Sequence, residues 1–155
     1  MKTEARALLR NQLDRYLAPL RKAGGHRPRR GWVRAIRDAV GMNGQQLADR
    51  MGVARSHLAQ IEDAEVRGAA SLRTMERAAN ALGCDFVYAL VPREKQTLEE
   101  IVQARTRQVA SRIVQHVATN MALEDQAVSR EFRKREVDRI AAELLRTMRR
   151  DLWEE

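Results

Sequence analysis

The chain has 155 residues, a formal net charge of +8, 44% hydrophobic and only 4% aromatic residues, and a single cysteine. That length holds one ordinary domain, or a small domain with extensions. One cysteine, Cys84, excludes an intrachain disulfide and any cysteine cluster for metal, and no run of about 20 uncharged apolar residues exists to span a bilayer.

Ala, Leu, Arg and Glu dominate, so the expected fold class is mainly α. Residues 3–20 read as an amphipathic helix with Thr3 as cap and Leu9, Leu13, Tyr16, Leu17 and Leu20 on one side. Docking on the carboxy-terminal helices is the preferred partner for that side. Arg21 to Gly31, RKAGGHRPRRG, has the glycines, proline and basic side chains of a linker. Trp32 to Val40 reads as a helix with Trp32, Val33, Ile36 and Val40 inward and Arg34 and Arg37 largely outward.

Asn43 to Glu62 carries the most informative pattern. Leu47, Ala48 and Met51, then Leu58 and Ile61, recur at helical spacing on either side of Gly52-Val53. Two helices this short, joined through a glycine that accepts positive φ, form a helix-turn-helix unit. Asn43 is the expected cap of the first, with Gln46 completing a capping box. Residues 63–70 read as a loop. Ser71 then caps a helix in which Leu72, Met75, Ala79 and Leu82 face inward, ended by Gly83.

Cys84 to Val91, CDFVYALV, is rich in β-formers and closed by Pro92, and it reads as a strand. A strand edge without a partner in its own chain invites pairing with a second copy. Phe86, Val87, Tyr88 and Leu90 are the expected dimerisation residues of a two-stranded ribbon; a last helical turn tucked on the bundle is the alternative. Thr97 opens a second long helix with TLEE as a capping box and Leu98, Ile101, Val102, Val109, Ile113 and Val117 as its stripe, to about Asn120. Ser129 caps another, with Val137, Ile140, Leu144, Leu145 and Met148 inward and Leu152-Trp153 near its end. The expected division is therefore 1–30, an amino-terminal helix and basic linker; 31–83, the helix-turn-helix domain; 84–92, a dimerisation strand; and 93–155, a carboxy-terminal helical region.

Six of the eight excess positive charges fall on residues 21–62. A basic face coincident with a helix-turn-helix points to double-stranded DNA, because cationic side chains displace counterions from the duplex. In such a unit the second helix enters the major groove. Arg55, Ser56, His57 and Gln60 are its polar positions free to read bases, arginine suiting guanine and glutamine adenine. The set expected at the DNA backbone is Asn43, Gln45 and Gln46, with Arg27, Arg29 and Arg30 of the linker and Arg34. A flexible connection is the plainer reading of the linker; an arm along the backbone or into a minor groove is the sharper one.

The polar cap, Leu47-Ala48, Gly52-Val53, and Arg55-Ser56-His57 followed by Leu58, Ile61 and Glu62 resemble the Xre or Cro/CI class of bacterial and phage regulators. Two positions depart from that class. Gly44 stands where a phosphate-binding glutamine is usual, and Ala54 where serine or threonine caps the recognition helix, a loss of about 1 kcal/mol. Beyond the motif, QLDRYLAPL, GWVRAIRDAVGM, CDFVYALVP and MALEDQAV resemble the mobile mystery protein A family. That resemblance implies an Xre-type protein encoded on a mobile element beside a Fic-family companion, mobile mystery protein B, in a pair like a toxin and antitoxin. No Ser or Thr here has Glu at the fourth position after it, as known Fic-inhibiting helices do.

The leading expectation is thus a cytoplasmic homodimer that binds a palindromic operator and represses its own operon; the alternative is an antitoxin that binds the Fic companion through its carboxy-terminal helices. Lys2, Glu4, Arg6 and Arg10 argue against a signal peptide, and no membrane contact is expected. An enzyme is not: His26, His57 and His116 are scattered, and Glu99-Glu100 and Glu124-Asp125 suit helix starts. No cofactor or metal is expected, since His57 has no second ligand at suitable spacing.

Overall fold

The computed structural model describes residues 3–23, 25, 27–123, 129–148 and 150–154. Its elements in chain order are α1 (Thr3–Ala23), α2 (Trp32–Ala39), α3 (Gly44–Met51), α4 (Arg55–Val66), α5 (Leu72–Ala81), α6 (Leu98–Leu123) and α7 (Arg130–Thr147). Single 3₁₀ turns occupy Arg93–Lys95 and Arg150–Trp153. The fold is mainly α. Two compact units divide it, residues 24–90 and residues 1–23 with 91–155.

In the unit of residues 24–90, four short helices bury one cluster. Leu47 and Ala48 of α3 are fully buried, with Val33, Met51, Leu58, Ile61 and Ala78 around them. None of these helices is long enough to persist alone, so the shared apolar face is what holds them. Asn43 caps α3 by accepting from Gln46 N at 2.9 Å, while Gln46 Oε1 accepts from Asn43 N at 2.8 Å. Gly52 ends α3 at φ 66°, ψ 36°, the left-handed geometry that a side chain would penalise. Val53 then packs on the cluster at the corner.

Charge is also used inside this unit. Glu65 of α4 is buried, and its two oxygens accept from Trp32 N at 2.6 Å and Val33 N at 3.1 Å, satisfying two free N–H groups at the start of α2. Gly31 makes room for it: at φ 81°, an added methyl would lie 2.7 Å from Glu65 Oε2. Arg37 is buried as well, with Nε donating to Glu62 Oε1 at 2.9 Å and Nη1 to the Met42 carbonyl at 3.1 Å.

Several expectations are corrected here. Arg37 faces inward, because three acceptors receive its guanidinium, Asp38 being the third at 2.8 Å. Trp32, Val40 and Leu72 are exposed, Trp32 at 48%. Each lies at or just past the end of a short helix, where the side chain projects beyond the core. Residues 84–90 form no strand and no helical turn. A strand needs a ladder partner, and no segment of the described residues supplies one. Instead, Cys84, Asp85, Phe86 and Val87 run along a groove lined by Trp32 and Ile36 of α2 and Met75 and Ala79 of α5.

In the other unit, α6 and α7 form an antiparallel hairpin, with Ala110 and Ala141 buried midway, small residues suited to close approach. Ser129 caps α7 by accepting from Phe132 N at 3.1 Å. Thr97 and Glu100 form the capping box of α6, with Glu100 N donating to Thr97 Oγ1 at 3.0 Å and Thr97 N to Glu100 Oε2 at 2.7 Å. Helix α1 lies along α6: Leu17 is buried, Arg10 pairs with Glu99 at 2.6 Å, and Asp14 accepts from Leu98 N at 2.8 Å. Arg21 donates to Asp14 and to the Gln96 carbonyl, which explains why α1 continues to Ala23 into the stretch expected to be linker.

Thr3 lies within α1 rather than capping it, and its hydroxyl reaches the Thr147 carbonyl. Leu9, Leu13 and Tyr16 are exposed, since the face of α1 that docks is the one carrying Arg10, Asp14, Leu17 and Arg21. Met148 ends α7 at φ 45°, ψ 52° and its carbonyl accepts from Arg6 at 3.0 Å. Arg105 donates to the carbonyls of Leu152 and Glu154 and stacks over the Trp153 ring, which fixes the last turn. Glu124 and Asp125 lie outside the described residues.

Candidate nucleic-acid interface

The second helix of the pair, α4, is anchored by Leu58 and Ile61, which point into the core. A helix so anchored must turn the positions between outward, and Arg55, Ser56, His57 and Gln60 are all exposed. The structure thus places the four residues expected to read bases on the outer side of one helix, toward its amino-terminal end. His57 Nδ1 lies 3.4 Å from Gln60 Oε1, so the two side chains form a local pair on that face. Ala54 caps the helix by backbone geometry alone, at φ −68°, ψ 149°, with no side-chain bond to an exposed N–H.

At the start of α3 the expected backbone-contact residues are partly engaged. Asn43 and Gln46 cap one another, and Gln45 Nε2 donates to Asp49 Oδ1 at 2.7 Å. All three remain exposed. The basic residues before and within α2 divide. Arg27 donates to the Val66 carbonyl at 2.5 Å, which ties the arm to the carboxy-terminal end of α4. Arg29, Arg30 and Arg34 gather around a shallow depression with Ala59, Glu62 and Asp63 of α4. Arg30 approaches Asp38 at 3.9 Å in an exposed, solvent-screened pair, and Arg34 approaches it at 4.0 Å through an Nε that is buried and has no hydrogen-bond partner among the described residues. His26 lies outside the described residues.

The residues that sequence reasoning missed are those that position this face. Glu65 fixes the entry of α2 against the end of α4, and Arg37 with Glu62 fixes α2 along its middle. The signal available for them was an acid or base at an inward position of the helical period, which Glu65, four residues after Ile61, satisfies.

Among the expected dimerisation residues, Phe86 is half-buried and its ring stacks on Tyr88 with centroids 6.0 Å apart. Val87, Tyr88 and Leu90 are exposed, Leu90 at 92%. Among the described residues no group of three His, Cys, Asp or Glu side chains comes together as a metal site, and no helix is long and apolar enough to cross a membrane.

Residues 33–88 match the family model described as helix-turn-helix. That segment is a helix-turn-helix domain, which supports a DNA-binding regulator. No curated protein and no solved structure matches the chain.

Proposed function

We propose that this protein is a sequence-specific regulator that binds double-stranded DNA as a homodimer and represses the operon that encodes it. The observation that carries the reading is the outward row on α4: Ser56, His57 and Gln60 face solvent from a helix held by Leu58 and Ile61, with Arg55 at the edge of the row. Such a row fits a major groove and the base edges within it. Arg29, Arg30 and Arg34 supply cationic contacts to the backbone beside it, and Asn43, Gln45 and Gln46 do so from α3. The exposed apolar run Val87, Tyr88 and Leu90, with Phe86 beneath, is the surface for a second copy. A two-fold pair of recognition helices then reads a palindromic operator.

The test is selection of duplexes from a randomised pool by the full chain, then fluorescence anisotropy on the selected and a scrambled duplex at two salt concentrations. Preference for the selected duplex that survives higher salt is the expected result. Equal, salt-sensitive binding to both would reduce the basic face to a nonspecific anchor. A footprint over the operon's own promoter then tests autorepression.

A second reading is favoured by the apolar side chains left open in the other unit, Leu9, Leu13 and Tyr16 on α1 and Ile113, Val117 and Phe132 on the α6–α7 hairpin. Exposed apolar side chains on these helices suit protein contact. On this reading the chain is an antitoxin whose helices bind a Fic-family companion, as the resemblance to mobile mystery protein A implies. Failure of the companion to co-purify with the full chain removes it.

A further inference from the structure

Gly44 is buried although it is the first residue of α3. The group over it is the guanidinium of Arg55, the first residue of α4: a methyl built on Gly44 would lie 2.8 Å from Arg55 Cζ and 3.2 Å from Nη2. Arg55 therefore lies back across the start of α3. Arg37 and Arg67 in the same unit are held by carboxylates, whereas Arg55 is in no ion pair among the described residues. In a helix-turn-helix the first helix of the pair crosses the DNA backbone while the second presents its polar face to the bases. A guanidinium resting on the first helix is on the backbone side, and its planar fork matches two oxygens of one phosphate.

Resting on the DNA-binding reading of α3 and α4, we propose that Gly44 is the seat of the Arg55 guanidinium and that Arg55, so seated, clamps a backbone phosphate and does not read a base. Base discrimination on α4 then belongs to Ser56, His57 and Gln60. Gly44 is a positioning residue: it touches no DNA, and its lack of a side chain sets where the guanidinium rests.

The experiment is a double-mutant cycle in the full chain, read by anisotropy on the duplex that the wild-type protein selects from a randomised pool and on single-base variants of it, across a salt series. Arg55→Ala is expected to weaken binding about tenfold, the low end for a hydrogen bond to a charged group. The loss falls nearly evenly on all the duplexes, and the slope of log affinity against log salt shrinks by about 0.9, one phosphate. Gly44→Ala keeps or raises the melting temperature, because its φ needs no glycine, alanine favours a helix, and the neighbouring group is the mobile end of a side chain. It lowers DNA affinity when Arg55 is present and has no effect in the Arg55→Ala protein. A loss concentrated at one base pair with an unchanged salt slope would assign Arg55 to a base and overturn the clamp, and additive effects of the two substitutions would overturn the seat. A wild-type protein that binds no duplex even at low salt overturns the DNA-binding reading itself, and the clamp with it.

Discussion

In residues 24–90 the start of α2 is closed by Glu65, a carboxylate sent from α4, and in the other unit the start of α6 is closed by Asp14, sent from α1. Each accepts from two backbone N–H groups that have no partner within their own helix. The surroundings differ. Glu65 is buried and spends both oxygens on the backbone, whereas Asp14 also receives Arg21, and the start of α6 has a second closure in the Thr97 and Glu100 capping box. The ion pairs differ in the same sense. Arg37–Glu62 has side chains 10% and 12% exposed, while Arg10–Glu99 leaves its acid 31% exposed. Residues 24–90 thus close the start of α2 with one buried carboxylate that has no other partner among the described residues, whereas the other unit closes α6 with a carboxylate shared with Arg21, in a pair 13% exposed on each side.

Breaking an ion pair in each unit gives the largest contrast. Arg37→Met leaves Glu62 without its cation in a mostly buried site and is expected to cost about 3 kcal/mol in urea unfolding. Arg10→Met, whose acid reaches water, is expected to cost under about 1 kcal/mol. Equal losses would remove the distinction between dry and wet pairs.

The caps sharpen it at smaller amplitude. Glu65→Ala strands two N–H groups away from water and is expected to cost about 2 kcal/mol, within the usual range of about 1–3 for a buried group left unsatisfied. The amides of Trp32 and Val33 should then lose protection from hydrogen exchange. Asp14→Ala should cost about half as much, because the capping box remains on α6. A larger effect for Asp14 than for Glu65 would reverse the argument.

The smallest expected effect lies on α7, where Arg139 donates to Glu136 and holds its carboxyl below the usual carboxylate range. A depressed folded-state value means that the contact stabilises above the ordinary range and is lost as pH falls through the lowered value. Arg139→Ala should return the Glu136 titration, followed by NMR, to the ordinary range with almost no change in melting temperature.

Much of the helix-turn-helix was legible because its determinants are local. The Asn43 capping box, the left-handed Gly52 and the inward Leu47, Ala48, Leu58 and Ile61 depend on spacings of a few residues, and periodicity records such spacings. Arg37 is inward by period, four residues after Val33, but charge alone argues outward, and its partner Glu62 is 25 residues away. Trp32, Val40 and Leu72 failed for another reason: at the end of a short helix, phase does not decide whether a side chain meets the core. The run from Cys84 to Val91 has strand composition, but composition supplies no ladder partner, and the chain leaves Val87, Tyr88 and Leu90 facing outward. Helix α1 has its apolar period on Leu9, Leu13 and Tyr16, but the polar contacts of Arg10, Asp14 and Arg21 turn the adjacent, mostly charged face inward with Leu17.

Gly31 and Glu65 are 34 positions apart and occupy one space, since any side chain at position 31 meets the carboxylate that closes α2. Inheritance should therefore treat them as one character. In descendants of this chain, a lineage that acquires a side chain at 31 is expected to replace the acid at 65 with a smaller residue, and one that loses the acid is released from the glycine.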